Sequence, residues 1–170
     1  MQKETIKIYT DGAAKGNPGS AGWGAVILVS RTVLDNGLSK TVFDTKEIGG
    51  RKDHATNNQM ELTAPIEALR YLKSNMSKSL FDIEIISDSK YVILGITEWI
   101  HGWLKNNWRN ANKKPVLNRE LWEELYKLNE ELKPKWTYVK GHNEDKMNDR
   151  ADLIATSFAE GEPVDLKNAG

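Results

Sequence analysis

The hydrophobic pattern of this chain changes period at Thr56, and that change limits the folds open to it. Before it, Ile6, Ile8 and Thr10 alternate with Lys7, Tyr9 and Asp11, the pattern of a half-buried strand that ends at an acid. Gly12 to Gly22 is rich in Gly, Asn and Pro and reads as a loop. Ala25 to Leu34 reads as a second strand, and Asn36-Gly37 as a two-residue hairpin turn, because both positions tolerate positive φ. A third strand follows over about Lys40 to Ile48. After the change, Thr56-x-x-Gln59 matches a capping box, and Leu62, Ile66, Leu69 and Leu72 recur at helical spacing. A fourth strand from about Asp82 ends at Ser87-Asp88. Helical segments follow over about Ser89 to Leu104 and Asn118 to Leu132, then a fifth strand over Lys135 to Lys140 and a last helix over Asn148 to Ala159. An antiparallel meander followed by alternating helix and strand predicts an α/β fold, one mixed sheet with helices packed on it.

At 170 residues the chain has one domain's length. Residues 1–159 read as that domain and 160–170 as a flexible tail. Its 24 basic residues balance its 24 acidic ones, so any nucleic-acid contact has to come from a local patch. The absence of cysteine excludes disulfides, thiolate metal sites and a thiol nucleophile. The longest apolar run, Trp23 to Val29, is too short to span a bilayer, and the N-terminus carries no apolar signal segment. The expectation is a cytoplasmic monomer, with neither a membrane nor an obligatory protein partner. No P-loop, dinucleotide fingerprint or nucleophile elbow is present.

Four acids stand out by position. Asp11 and Asp88 end strands, while Glu61 and Asp152 lie beside the apolar stripes of their helices. Singly, an acid in such a place is a turn residue or a helix cap. Together they are candidates for one interior cluster, whose mutual repulsion a divalent cation relieves. Oxygen-only ligation suits Mg2+ or Mn2+ rather than zinc. Two such ions about 4 Å apart clamp the attacking and leaving oxygens of a phosphodiester. His142, in a polar loop after strand five, has the residue type to move protons beside such a cluster near neutral pH.

Between Glu98 and Glu120 there is no acid. The interval holds Lys105, Arg109, Lys113, Lys114 and Arg119, interleaved with Trp99, Trp103 and Trp108. Cations contact phosphates and flat rings pack on sugars or bases. The competing reading is a solvated loop whose tryptophans dock it to the core.

Six motifs in order are specific enough to suggest a family: Tyr9-Thr10-Asp11-Gly12-Ala13, Gly16-Asn17-Pro18-Gly19, Thr56-Asn57-Asn58-Gln59-Met60-Glu61-Leu62, Ser87-Asp88-Ser89-Lys90-Tyr91, Lys140-Gly141-His142 and Asn148-Asp149-Arg150-Ala151-Asp152. Over about Ile6 to Ala159 the chain resembles type 1 ribonuclease H of the bacterial kind. The resemblance implies a five-stranded mixed sheet with helices on both faces. It also implies an enzyme that cuts the RNA strand of an RNA–DNA hybrid by a two-metal-ion mechanism, leaving 5′-phosphate and 3′-hydroxyl ends. It places metal ligands at Asp11, Glu61, Asp88 and Asp152, and matches His142 to a histidine that assists proton transfer or product release. Gly12, Asn17, Thr56, Asn57, Asn58 and Gln59 fall in the motifs that meet the substrate strands. About residues 99–119, with Trp99, Trp103, Lys105, Lys113 and Lys114, resemble the family's basic handle.

The chain departs from the family pattern in places. Gln59 stands where many relatives carry Arg, and the handle has Leu104, Asn106 and Asn107 where relatives can be more basic, so a weaker grip on the hybrid is expected. Lys90 stands where some carry Gln. Pro65 cannot donate to the Glu61 carbonyl, and a kink is expected there. Two other readings are a non-catalytic hybrid-binding module and a related DNA strand-transfer or junction nuclease. Retention of all four acids disfavours the first.

Overall fold

The computed structural model describes residues 4–76, 81–141 and 145–168. Its sheet comprises β1 (Glu4–Lys15), β2 (Gly19–Asp35), β3 (Leu38–Ala55), β4 (Phe81–Ser87) and β5 (Lys135–Tyr138) in the order β3-β2-β1-β4-β5. β1–β2 and β2–β3 are antiparallel, while β1–β4 and β4–β5 are parallel. The helices are α1 (Asn57–Asn75), α2 (Lys90–Leu94), α3 (Ile100–Lys105), α4 (Arg119–Leu132) and α5 (Lys146–Glu160). A π-helical turn, Gly95–Trp99, joins α2 to α3.

Alternation along the strands sends side chains to two cores. Ile6, Ile8, Ile27 and Ile85 pack with Leu62, Ile66 and Leu69 of α1 and with Trp122, Leu125 and Leu128 of α4. Tyr9, Val26 and Ile86 pack with Ala151 and Ile154 of α5. The helices therefore cover both faces, as an α/β sheet with parallel central strands requires. Asn36 and Gly37 both have positive φ, 50° and 78°, and close the β2–β3 hairpin as their dipeptide predicts. α1 starts with both halves of the capping box in place at Thr56 and Gln59 and runs through the buried Pro65 to Asn75.

Two sequence expectations are corrected. Gly12 to Gly22 is not a loop: β1 and β2 stay paired from Asp11↔Gly24 to Lys15↔Ser20, leaving only a tight turn with a cis Asn17-Pro18 bond. The small residues there serve packing, since α5 lies against Gly22 and Gly24 so closely that a Cβ on Gly24 would fall 2.7 Å from Ile154 Cγ2. Asp11 consequently lies within its strand rather than at its end. Lys167 exchanges backbone and side-chain bonds with Glu47 of β3, and Arg150 donates to the Asp165 carbonyl.

Candidate active site

β1 and β4 stay in register up to Thr10↔Ser87. The next residues, Asp11 and Asp88, therefore lie side by side at the carboxyl end of the parallel pair, where open α/β sheets place their sites. Glu61 arrives from α1, which is seated on β1 at Gly12. A Cβ on Gly12 would overlap Met60 and the backbone of Glu61. Carboxylate oxygens of Asp11, Glu61 and Asp88 all lie within 4.8 Å of one another. Asp152 comes from α5 on the other face and lies close enough to the Asp11 carboxyl to help raise it. The structure thus brings the four acids together, three as a tight trio and Asp152 through Asp11.

Asp11 is only 5% exposed. Burial, then the neighbouring Asp88 charge, pushes its carboxyl up to about 8. Burial and the Asp11 charge likewise hold Glu61 well above the ordinary carboxylate range. The Gly12 N–H donates to Asp11 Oδ1 at 2.9 Å, yet Glu61 Oε2 is buried without a hydrogen-bond partner. An orphaned acid oxygen within a group of carboxylates is a donor set that a hard divalent cation completes. The residues present fit such an ion.

Around the trio, Asn57 and Asn58 are exposed on the first turn of α1. Thr56, Gln59 and Asn17 use their side chains to hold that turn. Thr56 Oγ1 accepts from the Gln59 N–H at 3.1 Å, Gln59 Oε1 from the Thr56 N–H at 2.9 Å, and Asn17 Oδ1 from the Asn57 N–H at 3.0 Å. Gln59 also walls an open polar groove of about 480 Å³ with Lys52, His54, Thr63, Asn118 and Arg119. The sequence reading missed Lys52, His54 and Asn118 as site neighbours. They come from the end of β3 and the start of α4, and no local pattern marks them.

In the basic segment Trp108 is 8% exposed, and Trp103 packs 5.2 Å from the buried Trp122, so these rings dock the segment to the core. Trp99 is 41% exposed. Asn110 ties the following loop, its Oδ1 accepting from the N–H groups of Asn112 and Lys114. Lys105, Lys113 and Lys114 are exposed. His142 lies outside the described residues. Gly141 just before it borders the acids, for a Cβ there would lie 3.2 Å from Asp88 Oδ2.

The family model described as RNase H matches residues 3–160. A ribonuclease H of Thermosynechococcus vestitus is 46% identical over 160 residues, covering 94% of this chain and 92% of its own. That of Ruthia magnifica is 47% identical over 150 residues, covering 88% and 92%. Among solved structures, LC9-RNase H1, a type 1 RNase H with the type 2 active-site motif, superposes with a TM-score of 0.78 at 25% identity, over 100% of this chain and 80% of its own. LC11-RNase H1 in complex with RNA/DNA hybrid gives a TM-score of 0.61 at 25% identity, over 92% and 97%. The order of the sheet, the gathered acids and the matched length converge on one conclusion: this chain belongs to the ribonuclease H family of enzymes.

Proposed function

We propose that the chain is an endonuclease that hydrolyses the RNA strand of RNA–DNA hybrids with two divalent metal ions, Mg2+ or Mn2+, leaving 5′-phosphate and 3′-hydroxyl ends. The observation that carries this reading is the approach of Asp11, Glu61 and Asp88 to within 4.8 Å from three separate elements. With Asp152 they would hold the metal. When bound, Mg2+ supplies an activated water and electrostatic relief for the departing 3′-oxygen. In the net reaction the water oxygen bonds to phosphorus, the bond from phosphorus to the 3′-oxygen breaks, and a proton ends on that oxygen. His142, next in sequence to the Gly141 that borders Asp88, assists that proton transfer or the release of product. Asn57 and Asn58 offer amide donors and acceptors to minor-groove edges and to the 2′-hydroxyls that distinguish RNA from DNA. Lys105, Lys113 and Lys114 contact phosphates, and Trp99 offers an exposed ring face. No helix among the described residues is long and apolar enough to cross a membrane.

The test is a labelled hybrid incubated with Mg2+, with single-stranded and duplex RNA as controls. The parent is expected to cut RNA only in the hybrid. Asp88→Asn should bind the hybrid and cut almost none. Binding without cleavage by the parent would favour the non-catalytic module, and cleavage of DNA junctions the strand-transfer reading.

A further inference from the structure

Gln59 sits at the substrate side of α1, yet both ends of its amide are engaged within the protein. Its Oε1 accepts from the Thr56 N–H at 2.9 Å and its Nε2 donates to Asn118 Oδ1 at 3.3 Å. Asn118 Nδ2 donates in turn to Tyr91 Oη at 3.2 Å, and Trp122 Nε1 donates to the same oxygen at 3.1 Å. Tyr91 lies in α2, before the basic segment, and Asn118 lies near that segment's end. Asn118 is left-handed at φ 61°, a conformation that Asn tolerates better than most residues. The bonds therefore run from both ends of the basic segment to the cap of the helix that carries Glu61.

Nearby packing is tight. A Cβ on Gly95, in the π-helical turn, would overlap the Trp122 ring. Tyr91 packs tilted against that ring with centroids 5.1 Å apart, and edge-on against Trp99 at 6.2 Å. Trp103 against Trp122 and Arg119 over the Trp108 ring hold the handle to α4. Among the described residues the Asn118–Gln59 bond carries this hydrogen-bonded chain on to α1, while the Arg70–Glu124 and Lys73–Glu131 ion pairs join α1 to α4 farther along.

We propose that Tyr91, Asn118 and Gln59 form a positioning bridge that sets the handle relative to the carboxylates, so that a hybrid gripped at Lys113 and Lys114 reaches the acids in the right register. This rests on the hybrid-nuclease reading, and it makes Gln59 a positioning residue rather than a phosphate contact.

Tyr91→Phe removes one oxygen and keeps the ring. Its KM and kcat are measured on a hybrid long enough to reach the handle and on one too short to do so. Tyr91→Phe should raise KM on the long hybrid about threefold or more and leave the short hybrid unchanged. Gln59→Met should do the same on the long hybrid, and the double variant should lose no more than either alone, because all cut one chain of bonds. Equal losses on both hybrids, or additive losses, overturn the bridge. A second readout does not depend on cleavage: amide exchange at Thr56 should quicken in Tyr91→Phe, and unchanged exchange overturns the bridge. A parent that cuts no hybrid overturns the nuclease reading instead, while the exchange result still decides the coupling. If Tyr91→Phe fails to fold, Asn118→Gly, which keeps the left-handed backbone and removes the bonds to Gln59 and Tyr91, takes its place in each comparison.

Discussion

Gly12 packs directly against the backbone of Glu61, with no room between them for a Cβ. A strand residue without a side chain is thus what lets α1 bring its acid to Asp11. Gly12→Ala must push the helix away or strain the strand. Overpacking of this kind costs about 1–3 kcal/mol, and a small displacement of one ligand is expected to lower Mg2+-dependent cleavage roughly tenfold or more. Thermal unfolding and hybrid cleavage check both effects, and unaltered kinetics would contradict the close approach.

The raised acids fix the sign of a pH dependence. A carboxyl whose folded pKa exceeds its unfolded value binds more protons in the native state between the two, so stability falls as pH rises through that window. For Asp11 the window runs from the ordinary value of 3.8 to about 8. Metal-free protein should therefore lose stability between about pH 5 and pH 8, and Asp11→Asn should flatten the slope. Mg2+ should raise the melting temperature more at the upper end, where its ligands are otherwise forced to ionise together. Calorimetry with and without Mg2+ at the two pH values decides this. A greater gain at the acid end would refute it.

The buried Glu47 and the partly exposed Arg150 form a clamp that also holds Asp165 and Lys167. Glu47 is 2% exposed, and Arg150 meets it with two bonds of 2.8 and 2.9 Å. Burial alone would raise the Glu47 carboxyl, but the Arg150 bonds and the Lys167 N–H bring it below its usual range. Glu47→Ala leaves Arg150 without its partner and should cost about 3 kcal/mol, the low end for a broken buried pair because Arg150 is partly solvated. Deleting the residues after Gly161 removes only the backbone share of the clamp and should cost about 1–2 kcal/mol. Denaturant titration ranks the two, and equal costs would show that the tail carries the clamp.

Lys113 and Lys114 stand on a loop braced by Asn110, Arg109 and Trp108. Arg109 Nη1 donates to the Lys113 carbonyl and the Trp108 carbonyl accepts from Val116. If the two lysines meet phosphates, replacing each with Ala should lower the slope of log affinity against log salt by about one. Hybrid binding by Asp88→Asn across a salt series measures it. An unchanged slope would place the substrate elsewhere.

What could be read from the sequence was what neighbours in sequence decide. The capping box needs only Thr56 and Gln59, and the hairpin needs only Asn36 and Gly37 to accept positive φ. The six ordered motifs pointed to the family because they repeat short residue patterns. Three matters were hidden. The pairing of Gly12 to Gly22 depends on α5 lying over Gly22 and Gly24, the docking of the tail on Glu47, and the engagement of the Gln59 amide on Asn118. Each joins residues far apart in the chain, and a loop composition signal is indifferent to what packs above it.

The sequence by itself determined where helices start and strands turn, and which acids the chain carries, because those follow from backbone preferences and hydrogen bonds within a few residues. Only the tertiary structure decided that Asp11, Glu61 and Asp88 share one space, with Asp152 joined through Asp11. That convergence comes from strand register and from burial of two apolar faces, and both act between segments that no local pattern connects.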